Sequence, residues 1–271
     1  MPKFKRDDVT LHYEINGTGE PLIYISGFSD HSNSVFSAGI RETLSEKYQV
    51  LTLDNRGSGQ TIVGENASVT LNDMADDVAA LAQEQGITQA HILGISMGGT
   101  IAQHLALRHP ELVKSLVLAV TLARSESPSR AQFMLQTANQ MRSAGISHEI
   151  IRRYTAVFLL NEAVFKIEPF MAAWVSMPED PFAQTETGYQ QQNSAMHPFD
   201  ITEQIGTISV PTLVVSSPDD MLVPPRFQEE IAGLIPNAEL KHYPGGHVFM
   251  GLPRFRDAFF KDVFAFWERQ V

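Results

Sequence analysis

Apolar positions along the chain follow two rhythms that take turns. VTLHYEI (9–15) alternates apolar and polar residues and ends at Asn16-Gly17, a hairpin-type turn signal. PLIYIS (21–26), VLTLD (50–54), AHILGI (90–95), SLVLAV (115–120) and TLVVSS (212–217) are instead nearly continuous in apolar residues. Such runs suit strands covered on both faces, as in a parallel sheet. AELKHY (238–243) alternates again and suits a sheet edge. Amphipathic stretches with helical spacing lie between the runs. Thr70 and Asp73 form a capping-box pattern ahead of LNDMADDVAALAQEQ, and Gly86 is placed to end that helix. Strands alternating with helices predict an α/β fold with a mostly parallel, doubly wound sheet.

The rhythm breaks between about residues 123 and 204, which read as several helices with no convincing strand. Pro128, Pro169, Pro178, Pro181 and Pro198 punctuate this stretch, and it holds five of the ten methionines. The strand pattern resumes at Val210-Pro211. The expectation is therefore a core of residues 1–122 and 205–271, with 123–204 inserted as a helical cap. Most aromatics of the insertion should pack one another, and a minority facing the sheet would roof a pocket.

Composition narrows the function classes. A chain of 271 residues, 43% hydrophobic, can bury one large core. A net charge of −11 argues against nucleic acid and anionic membrane surfaces as partners. The absence of cysteine excludes disulfides, thiolate zinc sites and iron–sulfur clusters. The opening MPKFKRDDVTLHYEI lacks the apolar segment of a signal peptide, and no later run reaches the roughly 18 apolar residues of a membrane span. A soluble, cytoplasmic protein is expected, its oligomeric state left open.

Candidate chemistry centres on HILGISMGGTIAQHLA (91–106), where Ser96 stands between Gly94 and Gly98 as an apolar run becomes a helical pattern. The bland reading is a tight turn. The sharper one is the G-x-S-x-G nucleophile turn, which requires a strand before it and a helix after it. A serine hydroxyl is a weak nucleophile at neutral pH and needs a base, which in turn needs an orienting group. His104 and His109 lie on or just past the following helix, His12 and His242 in strands and His91 at a strand start, so each has a structural reading. His148 and His197 fall in the insertion. His247 follows Tyr243-Pro244-Gly245-Gly246 after the last strand, where a loop imidazole can reach the same sheet edge as the serine. For the acid, Asp219 and Asp220 both follow TLVVS, giving the chain order serine, acid, histidine. The loop after SLVLAV, Thr121-Leu122-Ala123, offers no carboxylate. His104 and His109 are five apart, off a common helix face, and no carboxylate cluster accompanies them, so no metal site is expected.

Four blocks together resemble the α/β-hydrolase superfamily over essentially the whole chain. LDNRGSGQT (53–61) is similar to the family's D-x-R-G-x-G-x-S signature, and HILGISMGGTIAQHLALRHPELVKSLVLA (91–119) to its serine turn, helix and next strand. LVVSSPDDMLVPP (213–225) matches D-x-x-x-P if the aspartate is Asp220, and GGHVFMGLPRF (245–255) resembles the histidine segment. The resemblance implies Ser96 as nucleophile, His247 as base and later acid, and Asp220 as the orienting carboxylate. It also implies an oxyanion hole made by the backbone N–H groups of Phe28 and Met97. Asp54 and Arg56 match a signature that is usually structural. The chain departs from the family at Ser26-Gly27, where His-Gly is usual and the missing imidazole alters the bonding of the oxyanion loop. It departs again at Thr61, usually serine, and at Ser216-Ser217, where glycine is common.

The expected function is hydrolysis of a carboxylic ester or lactone of a small, fairly apolar substrate, with no metal or organic cofactor. Carbon–carbon bond hydrolysis and cofactor-free peroxidase or perhydrolase chemistry would use the same residues. A low-turnover small-molecule sensor is the alternative from another class. Serine rather than aspartate at position 96 argues against haloalkane dehalogenase and epoxide hydrolase chemistry.

Overall fold

The computed structural model describes residues 2–270, and its strands begin with β1 (Lys3–Arg6) and β2 (Val9–Asn16). β3 (Pro21–Ile25), α1 (Val35–Ser45), β4 (Gln49–Leu53), the two-residue β5 (Ile62–Val63), α2 (Leu71–Glu84), β6 (Ala90–Ile95), α3 (Met97–Arg108) and β7 (Val113–Ala119) follow. Thr70 and Asp73 form the expected reciprocal capping box on α2. Between β7 and β8 (Thr212–Ser216) come α4 (Arg130–Ser143), α5 (His148–Leu159), α6 (Glu162–Phe165), α7 (Glu168–Ser176), α8 (Glu186–Met196) and α9 (Thr202–Ile205). α10 (Arg226–Leu234), β9 (Glu239–His242) and α11 (Pro253–Glu268) complete the chain.

The nine strands form one sheet in the order β1-β2-β4-β3-β6-β7-β8-β9, with β5 paired to β2. From β4 to β9 every pairing is parallel, and only β1, β2 and β5 run antiparallel to their neighbours. β9, the alternating strand, sits at an edge as its pattern predicts. The Asn16-Gly17 turn does not make a hairpin. It leads into β3, but β4 lies between β2 and β3. The turn signal is local, whereas strand choice is decided by the apolar runs that only a central position can bury.

Each central strand sends alternate side chains to opposite faces. Ile23, Leu51, Ile92, Leu116, Leu118 and Val214 pack beneath Met74, Val78, Leu81, Ile101, Leu105 and Ile231 of α2, α3 and α10. Leu22, Tyr24, Val50, Leu93, Val117 and Leu213 face the other way, against Ile40, Leu44, Phe259, Val263 and Trp267 of α1 and α11. This two-sided burial explains why those strands read as continuous apolar runs.

Among the described residues the stretch from β7 to β8 holds helices and one isolated bridge, Arg124 with Asp200. α4 and α5 pack Met134, Leu135, Tyr154 and Phe158 against Leu222, Val223 and Phe227 of the sheet-bearing part. Phe170 and Trp174 pack with Leu160, Val164 and Leu252. Among the described residues no helix is long and apolar enough to cross a membrane.

Candidate functional site

Ser96 sits on the turn between β6 and α3 with φ 55° and ψ −123°, a conformation that a side-chain-bearing residue adopts only under constraint. The constraint is visible. Its N–H donates to Ala119 O at 2.9 Å, and its carbonyl accepts the Thr121 hydroxyl at 2.7 Å and Gly99 N–H at 2.9 Å. The flanking glycines follow from close approach: a Cβ on Gly98 would collide with the Ile25 carbonyl, and one on Gly94 with the Gly98 carbonyl. Thr121, dismissed as an acid because it carries no carboxylate, thus holds the serine turn in place. It is reached through Val120, whose φ of 46° turns the chain at the end of β7.

Asp220 and His247 are brought together from opposite ends of the β9 crossover. Asp220 Oδ2 lies 2.7 Å from His247 Nδ1, with both residues buried. The other oxygen, Oδ1, accepts the N–H groups of Leu222 at 2.8 Å and Val223 at 2.9 Å. The neighbouring Asp219 points elsewhere, accepting Asn161 Nδ2 at 2.9 Å and Gly245 N–H at 3.4 Å. Gly246 N–H donates to Ser217 Oγ at 3.1 Å, so a residue that departs from the family pattern helps hold the histidine loop. Among the described residues the His247 ring bonds to Asp220, and Ser96 Oγ makes no hydrogen bond.

Ser96 and His247 line one cavity of about 430 Å³ between the sheet's edge and the inserted helices. Apolar side chains dominate its wall, among them Met134, Leu135, Ile151, Leu159, Leu222 and Val223. Of the insertion's aromatics, Trp174 and Tyr189 reach it. Phe28 lies on the rim beside Tyr189, the ring centroids 5.9 Å apart in an edge-on arrangement. Met97 is the first residue of α3, and neither its N–H nor that of Phe28 donates to another group among the described residues.

Sequence reasoning passed over His31, a buried residue on the same cavity. Its Nε2 lies 2.7 Å from Asp180 Oδ2, a carboxylate of the insertion. No local motif marks this pair, because its partners are 149 positions apart. Asp30 is also on the wall, and burial pushes its carboxyl above the usual range against the lowering effect of the Ser34 and Ser37 hydroxyls. His148 reaches the cavity and pairs with Glu179 at 2.9 Å. His197 turns back to the Asn193 carbonyl at 3.1 Å.

Asp54 and Arg56 lie away from the cavity wall and make structural bonds. Asp54 accepts Ser32 N–H at 2.7 Å and Gln60 N–H at 2.8 Å. Arg56 grips Asp77 with two hydrogen bonds of 2.6 and 2.7 Å. Thr61, in place of the usual serine, donates to Asp54 O at 2.6 Å.

Known proteins agree with this architecture. The family model described as the alpha/beta hydrolase fold matches residues 20–252. A Mycobacterium tuberculosis H37Rv protein, provisionally named non-heme bromoperoxidase BpoC, is 30% identical over 244 residues, 89% of this chain and 91% of that one. An Azorhizobium caulinodans protein, provisionally named carbamate hydrolase RutD, is 29% identical over 256 residues, 92% of either chain. The crystal structure of the enol-lactonase from Burkholderia xenovorans LB400 superposes with a TM-score of 0.81 at 25% identity, covering 98% of this chain and 100% of that one. Matched by the family model from the third strand to the loop before the last helix, the chain belongs to the alpha/beta hydrolase family.

Proposed function

We propose that the protein is a serine hydrolase that cleaves a carboxylic ester or lactone of a small, fairly apolar substrate. The observation that carries this reading is the buried Asp220–His247 pair, whose imidazole shares one mostly apolar cavity with the serine of a strained turn. Ser96 Oγ attacks the substrate carbonyl while His247 Nε2 takes its proton. Asp220, bonded to Nδ1–H, keeps Nε2 free to accept and stabilises the imidazolium that forms. The tetrahedral oxyanion is received by the N–H groups of Met97 and Phe28, donors worth about 3 kcal/mol each in other acyl-transfer enzymes. His247 then returns the proton to the departing alcohol, leaving the acyl group on Ser96. Water, deprotonated by His247, releases the acid by the same route. None of these steps draws on a metal or an organic cofactor.

Trp174, Tyr189 and the Met134 side chain favour an apolar acyl or alcohol group, since aromatic and thioether surfaces adapt to varied apolar ligands. The test is a fluorophosphonate label mapped by mass spectrometry, followed by a panel of aryl esters and lactones. Labelling at Ser96, with turnover lost in Ser96→Ala and the fold kept, is expected. Unchanged turnover in that variant would overturn the reading.

A second reading uses the same acyl-enzyme. The BpoC and RutD relatives are named for bromoperoxidase and carbamate hydrolase activity, which on this triad would correspond to perhydrolysis and to carbamate cleavage. In perhydrolysis, hydrogen peroxide replaces water as the attacking group and a peroxy acid leaves. Including an aryl carbamate, and hydrogen peroxide with acetate, in the same panel separates these activities.

A further inference from the structure

The oxyanion loop of this chain lacks the histidine that usually shapes it, yet Ser29, next to Phe28, is held at φ 60°. A side-chain-bearing residue keeps that conformation only with support from its surroundings. Within the loop, Asp30 N–H donates to Gly27 O at 3.3 Å, closing the turn that carries Phe28 and Ser29, and Ser26 Oγ reaches Asp30 O at 3.4 Å, while Asn55 Nδ2 donates to Ser26 O at 3.1 Å. Ser29 N–H itself is tied to the insertion. Gln192 of α8, fully buried, accepts Ser29 N–H on its side-chain oxygen at 2.9 Å. Its amide nitrogen donates to Arg56 O at 2.9 Å. A backbone N–H can only donate and a backbone carbonyl can only accept, so these two partners fix which end of the Gln192 amide is which. Gln184 adds a second donor to the same oxygen at 2.8 Å.

The position of α8 is itself set by backbone contact. A Cβ on Gly57 would stand 2.8 Å from Gly188 O, and one on Gly188 would collide with Gly57 O, so each glycine lets the other's backbone approach. That seats the first turn of α8 on the 54–61 loop and delivers Gln192, one turn further on, to Ser29. Tyr189 of the same helix packs edge-on against the Phe28 ring at 5.9 Å. Two residues of one inserted helix thus hold two successive residues of the oxyanion loop.

We propose that Gln192 is a positioning residue for the reaction: by holding Ser29 N–H it aims the preceding Phe28 N–H at the developing oxyanion, doing from the insertion what the missing histidine would do from within the loop. The inference rests on the serine-hydrolase reading above. It predicts that the loss falls on the transition state rather than on substrate binding.

The experiment compares wild type with Gln192→Met, Gln192→Asn and Gln192→Glu on an aryl acetate, together with inhibition by an aryl trifluoromethyl ketone, whose serine adduct carries an oxyanion. Gln192→Met keeps the shape and removes both bonds. Gln192→Asn is one methylene too short to span Ser29 and Arg56 while staying polar, so it supplies the reading if the Met variant does not fold. Both should lower kcat by at least about tenfold, short of the ~10²–10³-fold loss of a whole donor, and weaken the ketone in parallel. KM should move less than threefold. Gln192→Glu keeps an oxygen for Ser29 N–H but sets a second acceptor against Arg56 O, so it should recover part of the ketone affinity and fall short of wild type. A purely structural role would lower thermal stability without separating ketone affinity from KM. Wild-type kcat and ketone affinity in folded Met or Asn variants would overturn the inference while leaving Ser96 chemistry intact. Failure of wild-type Ser96 to label with fluorophosphonate would overturn the hydrolase reading and this inference with it.

Discussion

Asp220 Oδ2 stands 2.7 Å from His247 Nδ1 while Asp219, its neighbour in sequence, bonds Asn161 of the insertion instead. Two adjacent carboxylates therefore have different duties. Asp220→Asn should lower kcat on aryl esters by about 10⁴-fold with the fold retained, because an amide can present its N–H to Nδ1 and favour the wrong imidazole tautomer. Asp219→Asn should cost less than about tenfold, since exposed bonds contribute little. Steady-state kinetics on the two variants checks both, and equal losses would contradict the division.

The serine turn tolerates no added bulk. Gly98→Ala places a methyl group against the Ile25 carbonyl, a backbone atom that cannot swing aside. The expected cost is at least about 2 kcal/mol of folding stability, with activity falling as the turn shifts. Urea unfolding read by circular dichroism measures it.

Arg56 and Asp77 form a buried, two-point ion pair joined also by Arg6 at 2.6 Å. Asp77→Asn strands a buried guanidinium and should destabilise the protein by about 3–5 kcal/mol. Neither side chain lines the cavity, and the Gln192 bond is to the Arg56 backbone, so protein that remains folded at low temperature should retain kcat. A thermal melt alongside a rate measurement distinguishes this from a catalytic effect.

Burial holds the His104 imidazole down at about 4 against an ordinary 6.5, with the charge of Arg108 adding to the effect. Above pH 6.5 the ring is neutral in both folded and unfolded chains and makes no pH-dependent contribution. As pH falls from 6.5 towards 4, the unfolded chain takes up a proton that the folded one refuses. Stability therefore declines in that window, with a slope of up to about 1.4 kcal/mol per pH unit from this group. His104→Gln should flatten the fall in unfolding free energy between pH 6.5 and 5, and an unchanged slope would assign the loss to other groups.

Much of the architecture is legible in the sequence. Leu22 and Ile23 belong to opposite faces of the sheet, yet both read as apolar because both faces are covered. The capping box at Thr70 is equally local. β1 and β5 escaped notice because four polar-rich residues and a two-residue pair carry no periodicity to read. Asn16-Gly17 makes the turn its dipeptide predicts but no hairpin, since nothing in the dipeptide says which strand will pair.

Candidate site residues divide in the same way. Ser96 and His247 stood out because each sits in a loop or turn beside a recognisable strand, with small residues around it. The choice of Asp220 over Asp219 rested on resemblance to a family pattern, and the structure adds the physical reason: the bonds to Leu222 and Val223 N–H turn its carboxylate to His247. Thr121 and Gln192 were invisible as site-supporting residues, because threonine and glutamine acquire such roles only from the backbone atoms they meet.

By itself the sequence determined the alternation of strands and helices, the parallel core and the positions of a serine, an acid and a histidine at strand ends. Those features follow from side-chain periodicity and short-range turn chemistry. Only the tertiary structure decided the order of strands, the cavity that Ser96 shares with His247, the His31–Asp180 pair and the grip of α8 on Ser29. Each of those depends on groups far apart in the chain, and such contacts form where burial of the whole sheet brings them, beyond the reach of any local pattern.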